Sequence, residues 1–466
     1  MIPLTVDHLV TLLGARMGVD VDERGGLSVR TVMTDSRAPS ADPAVFFALR
    51  TDRADGHDHV AAAAAAGAIA AVVERPVPDA GVAQLVVDDA WAALGRLGRS
   101  VVERSGCRVV AITGSYGKTT VKDLTAAALA AGRRVAASHA SFNNELGVPL
   151  TMLSVDEATD VLVAEAGARN AGDIEMLGRL LLPDVSVITA VGPVHLETFS
   201  DEDGVAREKS RLVTALRDGG TAVLNADDPR VAAMSSLAPA SLTTSAQGAA
   251  ADVRAEGATT DGDGRVRASV RSPWGDVDLA LPMPGVHHLT NALLALGVAG
   301  LEGVPLEAAA AALADASTSP SRSALRRVGG VTVLDDSYNA SPPTMLGALR
   351  TLAGLPCSGR RWAVLGVMAE LGPTADVQHA AVGRACVGVV DELVVVGPGA
   401  AGIAEGAAER TGGPRIRRVA DHAEAADLLV RALAPGDTVL FKASRVATLD
   451  RAAAAVLARL GEVDAS

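Results

Sequence analysis

Seven short apolar runs limit what this chain can fold into. They are RVVAIT (108–113), DVLVAEAG (160–167), DVSVITAVG (184–192), VTVLDD (331–336), RWAVLG (361–366), DELVVVG (391–397) and DTVLFKAS (437–444). Each has the length of a strand and is apolar at nearly every central position. A strand with one wet face alternates, whereas a strand covered on both faces does not, and double coverage is the mark of parallel sheets flanked by helices. The composition agrees. Hydrophobic residues make up 49% of the chain but aromatics only 2%, so the cores must be built from Ala, Val and Leu, which suits small helices packed on parallel strands. The class is α/β, and 466 residues suggest three domains at roughly 150 residues each.

Residues 1–82 form a first unit, with a strand-like VFFAL and an alanine-rich helix that stops at Gly67 before a short strand. A helix near 87–104 leads into a second unit, 83–318, and the Ser/Pro-rich STSPSRS (317–323) marks the passage to a third, 319–466. Within the second unit, 241–273 reads as a more exposed excursion with short strands of its own, and NALLALGVAGL (291–301) reads as a helix. In the third unit the runs end in Gly, Asp or Ser, where the carboxyl end of a parallel strand meets a loop. Open α/β sheets bind ligands along that edge. The functional residues are therefore expected there, facing the second unit across a cleft.

The strongest chemical signal is AITGSYGKTTVKD, residues 111–123. The strict phosphate-loop pattern G-x-x-x-x-G-K-[ST] fails at Ile112. What stands is Thr113, Gly114, Ser115, Gly117, Lys118, Thr119 and Thr120, after a strand and before a helix that ends at Gly132. Backbone N–H groups and a helix N-terminus cradle phosphate oxygens. Lys118 is placed for the terminal phosphates and Thr119 for Mg²⁺. A plain glycine turn has no need of Lys-Thr-Thr at the helix start, so the loop is expected to bind a nucleoside triphosphate.

Glu165 and His195 fall at strand carboxyl ends in the same unit, where they could converge near Thr119 as metal ligands, although hard cations prefer oxygen. Taken singly, each reads more readily as an ordinary loop residue. Asn143 and Asn144, in SFNNELGVP, either bind a metal-bound carboxylate or cap a turn. Lys209, in VAREKSRL, reads by itself as a surface lysine on a helix. Cys107, Cys357 and Cys386 have no metal or redox spacing and read as small apolar residues in a reducing compartment.

TGSYGKTT, EAGARNAGDI, GPVHLETF, VAREKSRL, HHLTNALLA and SPSRSAL together resemble the Mur ligase family, the ATP-dependent amide-forming enzymes of peptidoglycan precursor synthesis. The resemblance covers nearly the whole chain. It implies a small N-terminal α/β domain, a central P-loop ATPase-like domain with a mostly parallel sheet, and a C-terminal Rossmann-like domain. It implies ATP and Mg²⁺, with the metal held by Thr119, Glu165, His195 and a carbamylated Lys209. Lys118, His195 and Lys209 become catalytic candidates, and Asn291, Arg322, Asp336 and Asn339 nucleotide contacts. SFNNELGVPLTML, DDSYNASPPTM, TDSRAPS with FFALRTDRADGHDHV, VLGVMAELG and VLFKASR are similar to the branch that joins D-Ala-D-Ala to a UDP-sugar tripeptide. That likeness assigns Ser36, Arg37, Asn143 and Asn144 to substrate binding. The chain departs from the pattern at Val367 (usually Asp), Ser341 (Asn), Ala443 (Gly) and Arg211 (acidic). The three in the C-terminal unit bear on which amine is joined, and a relative joining a different amine is the alternative.

The net charge of −13 opposes a nucleic-acid groove, since phosphate backbones need a basic face. MIPLTVDHLV has no basic n-region or long apolar run, and no stretch approaches the ~20 apolar residues of a membrane span. A cytoplasmic, monomeric protein is expected. A rival reading comes from GPGAAG, Gly397 to Gly402, a formal G-x-G-x-x-G after DELVVV with Asp421 about 20 residues on. It suggests a nicotinamide-dependent oxidoreductase, but a lone fingerprint after an interior strand is weak.

Overall fold

The computed structural model describes residues 1–17, 26–194, 196–248, 250–317 and 319–464. The unalternated runs lie side by side as expected. In the central sheet, Arg108–Thr113 is flanked by Val161–Glu165 and Val185–Ile188, and the parallel set continues through Thr221–Asn225, Ala240–Ser245 and Val253–Thr260 on one side and Val135–Ala137 on the other. Arg265–Ser272 and Gly275–Pro284 extend it as an antiparallel meander, giving nine strands among the described residues. This meander is the excursion expected at 241–273. It alternates buried and exposed residues along Arg265–Ser272, as a sheet wet on one side must.

The C-terminal sheet has six strands in the order Ala324–Val328, Val331–Asp335, Thr438–Lys442, Arg361–Gly366, Glu392–Val396, Arg415–Val419. All but the first pair are parallel. The N-terminal sheet orders Arg16–Met17, Ala83–Val86, Ala68–Val73, Ala44–Phe47 and Thr31–Met33, mostly parallel. Because Ala83–Val86 pairs inside this sheet, a limit at residue 82 would cut the strand off. We propose that the first unit runs to Val86 and that the third begins with the linker near residue 319.

The helix Ala90–Ser105 joins the first two units. Asp89 caps its start by accepting from Ala92 N at 2.9 Å, and Gly106, at φ 70°, ends it in a conformation that costs glycine nothing. One buried apolar cluster runs without a break from Leu4, Val45 and Val72 through Leu94 and Leu97 of this helix to Val109, Leu162 and Leu212 of the central unit. The two faces of the C-terminal sheet have clusters of their own, around Leu352 and Leu393 and around Trp362 and Phe441. Neither includes a residue of the central unit. Among the described residues, no helix is long and apolar enough to cross a membrane.

Candidate active site

The glycine-rich loop leaves Arg108–Thr113 and enters the helix Lys118–Ala130, as its sequence requires. Two glycines are needed by space as well as by backbone. Gly114 has φ 150°, and a Cβ there would lie 2.0 Å from Thr189 Oγ1; Gly117 has φ 83°, and a Cβ would meet Asn291 Oδ1 at 2.9 Å. Thr113 Oγ1 donates to Ala166 O at 2.7 Å, and Ser115 N donates to Ala190 O at 2.8 Å. Lys118 Nζ donates to Gly114 O at 2.8 Å. Burial pulls the Lys118 ammonium below its ordinary range; Glu165 draws it back up and Arg322 pushes it further down. Thr120 is buried one residue beyond Thr119.

Thr119 and Glu165, distant in sequence, meet. Thr119 Oγ1 donates to Glu165 Oε2 at 2.7 Å, and Asn143 Nδ2 donates to Glu165 Oε1 at 2.8 Å. Glu165 is 1% exposed, so the fold holds a carboxylate in its interior against the first turn of the phosphate helix. Buried carboxylates are stable only when paired or hydrogen-bonded. Asn144 does something different: its Oδ1 accepts from Gly147 N at 2.9 Å, the turn-capping alternative.

Lys209 is the clearest departure from what its own sequence context suggests. It is 1% exposed on the helix Glu202–Thr214, not a surface lysine. Burial brings its pKa from 10.5 down to about 7, helped by the positive charge of Lys118 and opposed by Glu208 and Asp173. The influence of Lys118 places both amines in one electrostatic neighbourhood. Glu208 accepts from Gly172 N and Ile174 N, and Arg211 pairs with Glu208 and Glu175, which gives the departure at Arg211 a structural role. His195 lies outside the described residues.

Residues of the third unit and its linker cross to this cluster. Arg322 Nη2 donates to Thr119 Oγ1 at 2.9 Å, and its guanidinium lies 4.1 Å over the Tyr338 ring. Tyr338 Oη donates to Ser141 Oγ at 2.7 Å. Asp336 Oδ1 accepts from Ser323 N at 3.0 Å, and its Oδ2 pairs with the buried Lys442 at 2.5 Å. Lys442 also donates to Asn339 O at 3.1 Å. The Asp336 carboxylate is thus tied to protein partners in the linker and the C-terminal sheet. Asn291 is 9% exposed beside Gly117. One turn earlier on the same helix, His288 is buried, and among the described residues its Nε2 has no hydrogen-bond partner, a polar atom suited to a polar ligand. Sequence reading missed Ser141, Tyr338, His288 and Lys442. All four sit inside motifs already noticed, but nothing in their spacing says that they converge.

Ser36 and Arg37 lie on the first unit. Arg37 is exposed and folded back on Asp35, with Nη2 to Oδ2 at 2.6 Å, and its side chain is engaged there and not at the phosphate-loop cluster. Ser341 caps the helix Pro342–Gly354 through a reciprocal pair with Thr344. Ala443 is fully buried, and Val367 O accepts from Ser444 N at 2.9 Å. The three departures of the third unit are therefore built into its framework. Asp421 caps the helix His422–Ala432, accepting from Ala423 N at 2.9 Å and Glu424 N at 3.0 Å, so its carboxylate serves a helix end instead of a ribose.

The family models described as Mur ligase middle domain and Mur ligase, glutamate ligase domain match residues 112–299 and 322–445. The chain is 38% identical over 507 aligned residues, covering 98% of each protein, to the UDP-N-acetylmuramoyl-tripeptide–D-alanyl-D-alanine ligase of Mycobacterium tuberculosis. It is 34% identical to the enzyme of that name from Escherichia coli, covering 85% of this chain and 86% of the relative. A crystal structure of MurF from Acinetobacter baumannii superposes with a TM-score of 0.88 at 29% identity, covering 98% of this chain and 99% of that one. The Thermotoga maritima MurF ligase in complex with ADP gives 0.82 at 27% identity, covering 93% and 99%. Over both its matched domains and nearly its full length, the chain belongs to the Mur ligase family.

Proposed function

We infer that the chain joins D-alanyl-D-alanine to UDP-N-acetylmuramoyl-tripeptide at the expense of ATP, in the synthesis of peptidoglycan precursors. Its likeness to the M. tuberculosis and E. coli ligases of that name supports this. The observation that carries it in the structure is the meeting of Thr119, Glu165 and Asn143 with Arg322 and Tyr338 at the phosphate loop.

An amide does not form from a free carboxylate in water without activation. The tripeptide's carboxylate oxygen attacks the γ-phosphorus of ATP, the bond from that phosphorus to the β,γ-bridging oxygen breaks, and ADP leaves an acyl phosphate. The amine of the dipeptide then attacks the acyl carbon. Phosphate departs with the bonding pair, and the nitrogen releases its proton. Two anions approach each other in the first step, so preorganised positive charge is the main requirement. Lys118 and the N–H groups of the loop hold the polyphosphate, while Arg322 brings a fixed guanidinium to the same place. Thr119 and Glu165 offer two hard oxygens 2.7 Å apart, a donor set that fits Mg²⁺. That ion, when bound, would neutralise phosphate charge. His195 is proposed as a further ligand and catalytic group on the family resemblance.

Lys209, with a pKa of about 7, presents a large fraction of neutral amine at neutral pH. Neutral amine is the form that adds to CO₂, releasing a proton and leaving a carbamate carboxylate, which would hold a second Mg²⁺. Asn291, Arg322, Asp336 and Asn339 are proposed around the nucleotide, the last two through the loop that Lys442 secures. Ser36 and Arg37 of the first unit, with Asn143 and Asn144, are proposed for the UDP-sugar peptide. We propose that the protein works in the cytoplasm as a monomer.

The test is ADP release with UDP-MurNAc-tripeptide and D-Ala-D-Ala. Turnover is expected only with ATP, the tripeptide and an amine together, and fastest with D-Ala-D-Ala. Faster turnover with another amine would overturn this choice of substrate, and nucleotide hydrolysis indifferent to both would overturn the ligase reading.

A further inference from the structure

One charged pair on the phosphate helix has no part in the chemistry above. Lys122 is 3% exposed, and its Nζ donates to Ser138 O at 2.8 Å and Ala140 O at 3.1 Å. It pairs with Asp123 Oδ1 at 2.7 Å. The other oxygen, Asp123 Oδ2, accepts from both the backbone N and the Oγ of Ser319, each at 2.8 Å. Ser319 belongs to the linker, three residues before Arg322. One helical turn of the central unit thus grips the segment leading to Ser141 on one side and the segment leading to Arg322 on the other.

The linker needs such a grip. Ser321 and Ser323, on either side of Arg322, have φ 58° and 52°, left-handed values that non-glycine residues adopt only when their surroundings hold them there. On the third-unit side, Ser321 Oγ donates to Asp335 Oδ2 at 2.8 Å and Ser323 N to Asp336 Oδ1 at 3.0 Å. On the central side, among the described residues, the hydrogen bonds of Ser319 to Asp123 are the matching anchor. With both ends tied, the backbone is bent so that Arg322 reaches Thr119 Oγ1 at 2.9 Å.

We propose that Asp123 is a positioning residue: by holding Ser319 it fixes the strained linker that delivers Arg322 to the phosphate loop. It acts through Arg322 and does not itself touch nucleotide. The proposal rests on the ligase reading above, because its readout is turnover of ATP.

The experiment is a double-mutant cycle on the full-length protein, using Asp123→Ala, Arg322→Ala and the double variant, with kcat and KM for ATP measured separately. Loss of a carboxylate that accepts two hydrogen bonds should lower kcat/KM for ATP about tenfold, leaving KM for the UDP-sugar tripeptide unchanged. In the double variant the loss should be no greater than in Arg322→Ala alone, since both changes remove one interaction. Ser319→Ala leaves the Lys122–Asp123 pair intact, and so guards against a folding defect. It should lose less, with the same failure to add to Arg322→Ala and an unchanged melting temperature. Losses that multiply in the double variant, or wild-type kinetics in both Asp123→Ala and Ser319→Ala, would overturn the proposal. A wild-type chain that turns over no ATP with any substrate pair would instead overturn the ligase reading on which it stands.

Discussion

Lys209→Met isolates the cost of burying an amine. In the folded chain the Lys209 pKa falls from 10.5 to about 7, chiefly through burial. At about 1.36 kcal/mol per pH unit, that gap sets a ceiling of about 5 kcal/mol on the penalty for the charged form. The sign follows from proton counting. Between about pH 7 and 10.5 the unfolded chain holds this proton and the folded chain has released it, so this residue's contribution to stability rises with pH across that window. Below it both states are protonated and the full penalty stands. Methionine has similar length and no charge, so the variant should be the more stable protein near neutrality, by on the order of 4 kcal/mol. The advantage should shrink to about 1 kcal/mol near pH 10. Urea unfolding of both proteins at the two pH values, in CO₂-depleted buffer, measures it. Added bicarbonate should stabilise the wild type and leave Lys209→Met unmoved. A difference that stays constant with pH, or a wild type more stable than the variant near neutrality, would refute the argument. Lys209→Ala, which leaves room at the site, should lose ligation, with partial rescue by short carboxylates.

Lys118→Ala should abolish ATP-dependent ligation, read by phosphate release, with the circular dichroism of the folded chain retained. Tyr338→Phe keeps the ring under Arg322 and removes only the bond to Ser141; kcat/KM for ATP should fall about threefold to tenfold with the melting temperature unchanged. Gly114→Ala would press a methyl 2.0 Å from Thr189 Oγ1 and should cost about 1–3 kcal/mol in urea unfolding, together with nucleotide binding by calorimetry.

The sheet framework was legible because burial on both faces leaves a mark in the chain itself. RVVAIT became the strand Arg108–Thr113 residue for residue, and DELVVVG became Glu392–Val396 within one residue at each end. The helix read at 87–104 starts at Ala90, where Asp89 caps it. The phosphate loop was legible for a similar reason, since glycine, lysine and threonine are each required by local geometry. Lys209 was not. A lysine among Glu, Arg and Ser reads as solvated, and its burial depends on neighbours far away in sequence. Ser141, Tyr338 and the Asp123–Ser319 contact were hidden for the same reason: each is a meeting of segments that no local pattern announces. The pairing of Ala83–Val86 with the first sheet was lost because AQLV is too short to stand out from the loop before it.

The apolar clusters have a mechanical consequence. Hydrocarbon cements the first two sheets into one block, whereas the third meets that block through hydroxyls, a ring and charged groups such as Arg322, Tyr338 and the Arg327–Asp263 pair. A seam held mainly by such groups can part and reseal with little oil wetted, although the side chain of Leu355 lies against Gly264 there. Swinging the final third of the molecule away should therefore require mainly the rehydration of polar side chains, and a protease nick in the Ser-Pro hinge should release that third as a stable, separately melting body.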